Sequence, residues 1–323
     1  MMINTTPYND LTPDLILDAV ESVGFRCSAS LLSLNSYENR VYQVGIEDSV
    51  PIIAKFYRPE RWSNETILEE HQFALELVEH EIPIVAPWQN EHKQTLFEFK
   101  NYRFALFRRW GGRALELDNL EQLEWMGRFI GRLHAISATR IFQHRPCLTV
   151  QTHGVEPYQF LLQHDFIPAA IKTNYCNTVE AILDKLEKIF QQHSNIQNIR
   201  LHGDLHAGNI LWNIEGPHII DLDDCLMGPA VQDIWMLLSG DKQQTKLQLD
   251  AILSGYEDFH EFNYRELQLI EALRTLRQLH YAGWLAKRWQ DPAFPRHFPW
   301  FNTPRYWEEQ LYNLAEQNDL LDD

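Results

Sequence analysis

Hydrophobic and polar residues alternate along two short stretches in the first quarter of the chain. Residues 39–46 read NRVYQVGI and residues 51–58 read PIIAKFYR. Alternation with a period of two is typical of a strand with one buried face. The acidic segment IEDSV joins the two stretches and has the character of a hairpin connection. We therefore predict a pair of antiparallel strands.

The pattern then changes to a helical period. Ser63 is a favourable N-cap residue, and the segment NETILEEHQFALELVEHE after it carries apolar residues at helical spacing until Pro83. Two further strand-like segments follow, QTLFEF and YRFALFRRW. This order predicts that residues 1–107 form a small lobe with an antiparallel sheet and one helix.

Paired glycines interrupt the pattern in RRWGGRALE, residues 108–116, which we predict to be a hinge. Residues 117–323 are mostly helical in pattern. The helical segments are LEQLEWMGRFIGRLHAIS, NTVEAILDKLEKIFQQ, TKLQLDAILSGYEDF and RELQLIEALRTLRQLHYAGWLAKRW. Only LHGDLHAGNILW and GPHIIDLDDCLMGP are strand-like there. The fold class predicted is α+β with two lobes, the first lobe carrying the sheet.

Composition excludes several classes of function. The chain has 323 residues, 45% of them hydrophobic, and its 28 basic against 45 acidic residues give a net charge of −17. Such an acidic chain lacks the cationic surface that binding to nucleic acid or to an anionic membrane requires. The start, MMINTTPYNDLTPD, has no signal-peptide pattern, and the four cysteines form no CxxC pair. We expect a cytoplasmic monomer that binds neither nucleic acid nor membrane.

The segment LHGDLHAGNILW concentrates polar residues that could carry chemistry. Its histidines could simply satisfy backbone groups in a loop. A second interpretation takes His202 and Asp204 as two ligands of a facial iron triad with His218 as the third, which would make the protein an Fe(II) oxygenase. That chemistry usually occurs on strand-rich barrels, whereas this half of the chain is helical in pattern. The iron interpretation therefore remains a remote alternative.

The third interpretation is phosphoryl transfer. Asp204 and Asn209 reproduce the Asp-x-x-x-x-Asn spacing of a kinase catalytic loop. In that loop the aspartate reaches the acceptor hydroxyl and the asparagine reaches a magnesium ion. Further along, IIDLDD places Asp221 directly after an apolar run, where a second magnesium-binding carboxylate is required, and Asp223 could supplement it. The two motifs together are far more specific than either one alone.

A kinase also needs a lysine on a strand of the small lobe and a glutamate on a helix to hold it. Lys55 lies inside the predicted strand IIAKFYR, and the helix after it offers Glu69 and Glu70. A lysine in an apolar strand is costly without a partner. We choose Glu70 as that partner and expect Glu69 to lie on the solvated face of the helix.

These motifs together resemble the aminoglycoside-phosphotransferase and choline-kinase superfamily, whose members are relatives of the eukaryotic protein kinases. The similarity rests on LHGDLHAGN, IIDLDD and GPAVQDIWML. It extends over nearly the whole chain through LNSYENRVYQV, KFYRPERW, EEHQFAL and KRWQDPAFPRHFPW. The resemblance implies a bilobal protein-kinase-like fold and a phosphotransferase that uses ATP with Mg²⁺.

The resemblance also implies a role for individual residues. Asp204 would be the proton acceptor, and Asn209 and Asp221 would bind magnesium. A second role considered for Asp221, ranked lower, is to accept phosphate itself. Ser36 would contact ATP, and Asp233 would brace the catalytic loop through its backbone. Lys55 would hold the α- and β-phosphates.

One part of the sequence departs from protein kinases. Their phosphate-covering loop is rich in glycine, whereas LNSYENRVYQVG has no glycine before Gly45. Without glycines the backbone cannot approach the phosphates so freely. Ser36, Tyr37 and Asn39 would therefore have to supply the contacts, through their side chains or through a tighter turn.

The acceptor is the least determined part of the prediction. Within the superfamily, the resemblance is closest to a bacterial branch that implies a protein serine/threonine kinase, able to phosphorylate itself and active in stress response. The alternative is a small-molecule kinase of the aminoglycoside, choline or homoserine type, and an acidic cleft would suit a cationic acceptor. A catalytically inactive relative is disfavoured because Lys55, Asp204, Asn209 and Asp221 are all present.

Overall fold

The first lobe is built on a five-stranded antiparallel sheet. A computed structural model describes residues 7–322 of the chain. In the sheet the strands follow the order β1-β2-β3-β5-β4. Their bounds are β1 Cys27–Ser33, β2 Arg40–Ile46, β3 Ile52–Phe56, β4 Phe97–Phe99 and β5 Tyr102–Arg108. The predicted hairpin is confirmed as β2 and β3, in which Val41 lies opposite Lys55.

Two helices belong to this part of the chain, where the sequence pattern predicted one. The predicted helix is α2, Asn64–Glu79, and the hydroxyl of Ser63 accepts a hydrogen bond from the backbone N–H of Thr66 at its start. The additional helix is α1, Pro13–Glu21, which begins after the N-cap Thr12. At 9 residues α1 is short, but it buries three apolar residues at helical spacing, Ile16, Ala19 and Val20.

The rest of the chain is mainly helical, so the predicted fold class is confirmed. The helices are α3 Leu120–Ser137, α4 Glu156–Gln163, α5 Ala169–Gln192, α6 Gln232–Trp235, α7 Lys242–Tyr256, α8 Ile270–Lys287, α9 Ala293–His297 and α10 Pro304–Leu320. Two small sheets interrupt them, one of β6 Arg113–Ala114, β8 Ile210–Asn213 and β9 Gly216–Ile219, the other of β7 Ile199–Leu201 and β10 Leu226–Gly228. The four predicted helical segments lie in α3, α5, α7 and α8.

Two hydrophobic cores organise the molecule. The smaller core packs α1 against the sheet, and the larger core joins the helices of the second lobe to α2 through Phe73, Ala74 and Leu77. The tail segment DPAFPRHFPWF belongs to the larger core, since Phe294, Phe298 and Phe301 are buried in it. The aromatic residues of this segment therefore have a packing role.

Backbone hydrogen bonds connect the end of α2 to the strand that precedes Asp221. The N–H of Ile219 donates to the carbonyl oxygen of Pro83 over 2.7 Å, and the N–H of Val85 donates to that of Ile219 over 2.9 Å. The segment after α2 is therefore held against β9. This contact fixes the strand that leads to the acidic motif, IIDLDD at residues 219–224.

Two further sequence predictions concern the chain as a whole. None of the helices within residues 7–322 combines the length and the hydropathy needed to cross a bilayer. The division into a first lobe of residues 1–107, a hinge of residues 108–116 and a second lobe of residues 117–323 stays a prediction. The first six residues of the predicted first lobe and residue 323 lie outside the described residues.

Candidate active site

The loop after β7 is braced from behind by Asp233. Its two carboxylate oxygens accept hydrogen bonds from the backbone N–H groups of His202 and Gly203, each over 2.8 Å. Gly203 has φ +84, and a Cβ there would clash with the carbonyl oxygen of Asp224. Only glycine fits both constraints. The predicted brace by Asp233 is confirmed, and it holds the backbone immediately before Asp204.

Asn209 closes the same loop. Its side-chain amide nitrogen donates to the backbone carbonyl of Asp204 over 2.9 Å. This bond engages the amide nitrogen, and the amide oxygen is the atom left for a ligand. β8 begins at the next residue, Ile210, which is fully buried and anchors the loop in the core.

Asp221 follows β9 in a left-handed backbone conformation with φ 64 and ψ 70. Aspartate is among the few residues other than glycine that adopt this region, and such conformations concentrate at functional sites. The turn directs the carboxylate at Lys55, whose ammonium nitrogen lies 3.0 Å from Asp221 Oδ1. The Asp221 side chain is 50% exposed, so it can also reach a ligand in the cleft.

Lys55 is the buried cation at the centre of the cleft. Its ammonium nitrogen lies 3.2 Å from Asp223 Oδ1 and 3.6 Å from Glu70 Oε1, in addition to Asp221. Burial by itself lowers the pKa of Lys55, but the three carboxylates outweigh it and raise that pKa well above its ordinary value. Lys55 therefore keeps its charge at neutral pH.

Glu70 of α2 is one of the two fully buried carboxylate partners of Lys55, with 3% of the residue exposed. Burial raises the pKa of Glu70 to about 7, although Lys55 opposes that shift. The guanidinium of Arg145 lies 4.0 Å from its second oxygen. Glu70 thus titrates near neutrality, and its ionised form is the one that pairs with Lys55.

The neighbouring Glu69 is not the solvated residue that the sequence predicted. Its carboxylate accepts hydrogen bonds from three successive backbone N–H groups, those of Gln143, His144 and Arg145, over 2.6–2.8 Å. The Glu69 side chain extends from α2 toward the loop of residues 143–145 and fixes the backbone of that loop. The sequence could not indicate the contact, because the loop lies more than seventy residues away along the chain.

Arginines that sequence reasoning did not assign surround the acidic motif. Arg61 forms ion pairs with both Asp223 and Asp224. Burial would raise the pKa of each aspartate, but nearby cations, Lys55 at Asp223 and Arg61 at both, lower it instead. Arg61 lies in KFYRPERW, a segment that carried the family resemblance, and this was the one signal that could have drawn attention to it.

Asp223 was considered as a supplementary magnesium ligand. In the structure it is only 3% exposed and is enclosed by Lys55 and Arg61. The backbone carbonyl of the same residue accepts a hydrogen bond from Arg145. A carboxylate enclosed by cations in this way is occupied as a counter-ion and is poorly placed to bind a metal.

The carboxylate of Asp204 contacts an arginine that the sequence did not predict. Arg277 of α8 has a guanidinium nitrogen 2.8 Å from Asp204 Oδ1, and His206 Nε2 lies 3.6 Å from Oδ2. The N–H bonds of Arg277 are not aligned with Oδ1, which is buried and accepts no hydrogen bond. The Asp204 side chain is nevertheless 25% exposed, so Oδ2 is the oxygen that a hydroxyl donor could engage.

The loop between β1 and β2 occupies the place of a phosphate-covering loop. Ser36 lines a cavity of about 460 Å³ between this loop and residues 291–297. Tyr37 packs against the rings of His297 and Phe298, with ring centroids 5.3 and 4.7 Å apart. The sequence expected Tyr37 to help cover the phosphates, but here its ring is used in packing.

Asn39 also has a different partner from the one expected. It is 3% exposed, and its side-chain oxygen accepts a hydrogen bond from the backbone N–H of Arg58 over 3.0 Å. Glu38 lies between Tyr37 and Asn39 in the loop. It accepts a hydrogen bond from Trp284 Nε1 over 2.7 Å and pairs with Arg288. Side chains thus hold the loop in place where a glycine-rich loop would rely on backbone freedom.

The geometry contradicts the iron interpretation. The Nε2 atom of His202 bonds to the carbonyl of Ile220 over 2.9 Å, and its Nδ1 accepts from the N–H of Asp204 over 3.3 Å. His218 stacks on Trp110, with ring centroids 3.8 Å apart. Within residues 7–322, no three histidine, cysteine, aspartate or glutamate side chains converge as metal ligands. Both nitrogens of His202 are already engaged, so it cannot be a ligand without breaking the loop.

Asn209 and Asp221 do fit a magnesium ion. Mg²⁺ prefers oxygen donors and, in nucleotide sites, is held by one or two carboxylates together with phosphates and waters. Asn209 has its amide oxygen available, and Asp221 has a half-exposed carboxylate on the same side of the cleft as Lys55. The donor set is thus appropriate for a magnesium–nucleotide complex.

Comparison with known proteins assigns the family. The sequence profile described as the phosphotransferase enzyme family matches residues 31–270. The chain belongs to this family. The matched range extends from β1 to the start of α8 and contains Lys55, Asp204, Asn209 and Asp221, whereas Arg277 lies beyond it.

Curated relatives cover almost the entire chain. Stress response kinase A of Escherichia coli K12 is 44% identical, over 97% of this chain and 94% of its own length. A Salmonella typhimurium protein named serine/threonine protein kinase RdoA is 43% identical, over 98% of this chain and 96% of its own. The resemblance seen in the sequence is therefore confirmed at the level of named relatives.

Solved structures share the fold at low sequence identity. Amicoumacin kinase in complex with AMP-PNP, Ca²⁺ and its antibiotic has a TM-score of 0.73 at 18% identity, covering 96% of this chain and 93% of its own. A microcompartment-associated aminopropanol kinase has a TM-score of 0.70 at 16% identity, covering 94% and 95%. These similarities establish the kinase-like fold.

Proposed function

We propose that this protein transfers the γ-phosphate of magnesium-bound ATP to the hydroxyl of a protein serine or threonine. The observation that carries the proposal is the meeting of Lys55, from the first lobe, with Asp221, from the second, at 3.0 Å. The braced loop with Asp204 and Asn209 is joined to the residue before Asp221, because the N–H of Ile220 donates to the carbonyl oxygen of Asn209 over 2.9 Å. Phosphoryl transfer needs mainly positioning and charge compensation, which such a constellation supplies.

The residues of the chain divide these tasks. Lys55, held by Glu70, binds the α- and β-phosphates of ATP. Asn209 and Asp221 hold the magnesium ion, which when bound offsets negative charge on the phosphate oxygens. Asp204 orients the acceptor hydroxyl and takes its proton as the oxygen attacks the phosphorus. We rank the alternative role of Asp221, acceptance of phosphate, below metal binding.

The protein acceptor is supported by the names of relatives at 43–44% identity, one of which is a serine/threonine protein kinase. We propose on the same ground that the chain phosphorylates itself and acts in stress response. The proposed use of ATP with a divalent cation is supported by the ATP analogue and the Ca²⁺ ion in the amicoumacin kinase structure. A cytoplasmic location suits the four free thiols of the chain. The monomeric state and the contact of Ser36 with ATP stay predictions.

A small-molecule kinase is the second candidate. The solved structures that share the fold include kinases of an antibiotic and of aminopropanol. Their identity to this chain is 16–18%, so they bear on the fold and not on the acceptor. The charges around Asp204 also argue against a cationic acceptor, because Arg277 lies beside that carboxylate.

The acceptor class is tested by offering labelled ATP and magnesium to the protein together with protein substrates and a panel of amino alcohols. We expect label in phosphoserine or phosphothreonine of the proteins, lost in Asp204→Asn. Faster labelling of an amino alcohol than of every protein would assign the chain to the small-molecule kinases. A hydroxylamine-labile label on the protein itself, lost in Asp221→Asn, would instead establish Asp221 as the phosphate acceptor.

A further inference from the structure

Arg277 carries a positive charge on the acceptor side of the cleft. Its guanidinium contacts Asp204, the proposed base, over 2.8 Å, yet 43% of its side chain remains exposed. Arg61 and Arg145 differ, since they are enclosed within ion pairs and hydrogen bonds around the acidic motif. Arginine has five N–H donors, so Arg277 can hold a second anion while it stays next to Asp204.

The face of α8 that continues from Arg277 carries aromatic rings and one ion-paired arginine. Tyr281 and Trp284 stack there with ring centroids 5.6 Å apart, and Tyr281 is 40% exposed. Arg288 follows at the end of the helix and pairs with Glu38. His280 adds no charge at neutral pH, because burial lowers its pKa to about 3. The net acidity of the chain therefore does not describe this surface.

We infer that Arg277 is a specificity-determining residue that selects an acceptor with a carboxylate close to the reacting hydroxyl, namely a serine or threonine next to aspartate or glutamate. The inference rests on the proposed function and names the kind of protein segment that it modifies. A carboxylate beside the hydroxyl would pair with the exposed edge of Arg277 while the hydroxyl donates to Asp204 Oδ2. A lysine or arginine at the same place in the substrate would meet Arg277 as a like charge.

The same geometry bears on a cationic small acceptor. An aminoglycoside or choline carries its ammonium groups close to the hydroxyl that is phosphorylated, and Arg277 would repel them. An acidic cleft was expected from the net charge of −17, but beside the base the cleft presents the exposed part of the Arg277 guanidinium.

The inference is tested with three peptides that are identical except for the residues flanking one serine, which are acidic, alanine or basic. The full-length protein is assayed with Mg-ATP, and kcat/KM is compared between peptides. We expect the parent to favour the acidic over the basic peptide by on the order of tenfold. Arg277→Glu should reverse the order and Arg277→Gln should abolish it, whatever the absolute rates, while Arg277→Lys should retain it.

Arg274→Glu is the matched control. Arg274 lies one turn earlier on α8, has 34% of its side chain exposed and pairs with Glu271, not with Asp204. The charge reversal there should leave the order of the peptides unchanged. A change in order equal to that of Arg277→Glu would show a general charge effect and overturn the inference.

Other outcomes separate the inference from the proposed function. If Arg277→Glu slows all three peptides in proportion, Arg277 only positions Asp204, and the inference fails. It also fails if ATP is hydrolysed in an Asp204-dependent way but none of the peptides is labelled. Absence of any magnesium- and Asp204-dependent turnover of ATP would overturn the proposed function itself, and the inference with it.

Discussion

The charge of a single buried lysine organises the cleft. Lys55 brings together carboxylates from α2 and from the segment after β9, and it is 6% exposed. The sequence predicted its position in a strand and Glu70 as a partner, because a lysine among apolar residues requires a counter-ion. The sequence could not predict Arg61, since its pairing with Asp223 depends on how the two lobes meet.

The raised pKa of Glu70 gives a prediction on pH dependence. Below about pH 7 Glu70 is protonated and no longer holds Lys55 as an ion pair. We expect kcat/KM for Mg-ATP to rise with pH through a midpoint near 7 in the parent protein. Glu70→Gln mimics the protonated form, so it should lose this inflection and be slower at pH 8, by on the order of tenfold.

Glu69→Gln is the control for this experiment, because Glu69 is the adjacent residue of α2 and its carboxylate accepts backbone hydrogen bonds away from Lys55. It should keep the inflection. The pH profile of initial rates at low ATP measures the effect. An unchanged inflection near pH 7 in Glu70→Gln would assign the titration to another group.

At the scale of elements, the sequence predicted helices and strands best where the hydrophobic periodicity extended over many residues. The β2–β3 hairpin, α2, α3, α5, α7 and α8 were recognised, whereas α1, β1 and the 17-residue helix α10 were not. α1 has only 9 residues, although Thr12 and Pro13 at its start are favourable N-cap and first-turn residues. β1 reads CSASLLS and its exposed positions outnumber its partly buried ones, so it shows no clear alternation.

The short helix α6 depends on a buried glutamate from another element. Glu266 accepts a hydrogen bond from the backbone N–H of Val231, the residue before α6, over 2.9 Å. Glu266 is 4% exposed, and burial raises its pKa to about 7. Because α6 contains Asp233, the brace of the catalytic loop, this glutamate supports the site indirectly.

The raised pKa of Glu266 predicts how stability depends on pH. Its pKa is higher in the folded than in the unfolded protein, so its favourable contribution is complete below about pH 4.5 and is lost as pH rises through about 7. Glu266→Gln keeps an oxygen for Val231 without the ionisation. We expect the free energy of unfolding of the variant, relative to that of the parent, to increase by about 1–3 kcal/mol between pH 5.5 and pH 8.

The free energy of unfolding in urea, measured at both pH values, tests this prediction. Glu257→Gln, at an exposed glutamate directly after α7, is the control and should show no such difference. A stability difference between Glu266→Gln and the parent that is independent of pH would contradict the assignment of the titration to Glu266.

At the scale of the whole molecule, ion pairs connect the loop between β1 and β2 to the second lobe. Glu38 contacts Trp284 and Arg288 of the α8 region, and Asp291 pairs with Arg58 of the first lobe over 3.0 Å. These partners are separated by more than 200 residues along the chain. Sequence patterns describe local structure, and they carried no information on which distant charges would pair, so this connection could not be predicted.

The central claim, transfer of phosphate with Asp204 as the base, is tested most directly by one rate. Parent and Asp204→Asn are saturated with Mg-ATP, mixed with a serine-containing protein acceptor, and the transfer of label is followed over a single turnover. Asparagine keeps the shape of the side chain but cannot take the proton. The account predicts transfer slower by roughly 10²–10⁴-fold with binding of Mg-ATP retained. Transfer at the parent rate in Asp204→Asn would contradict it.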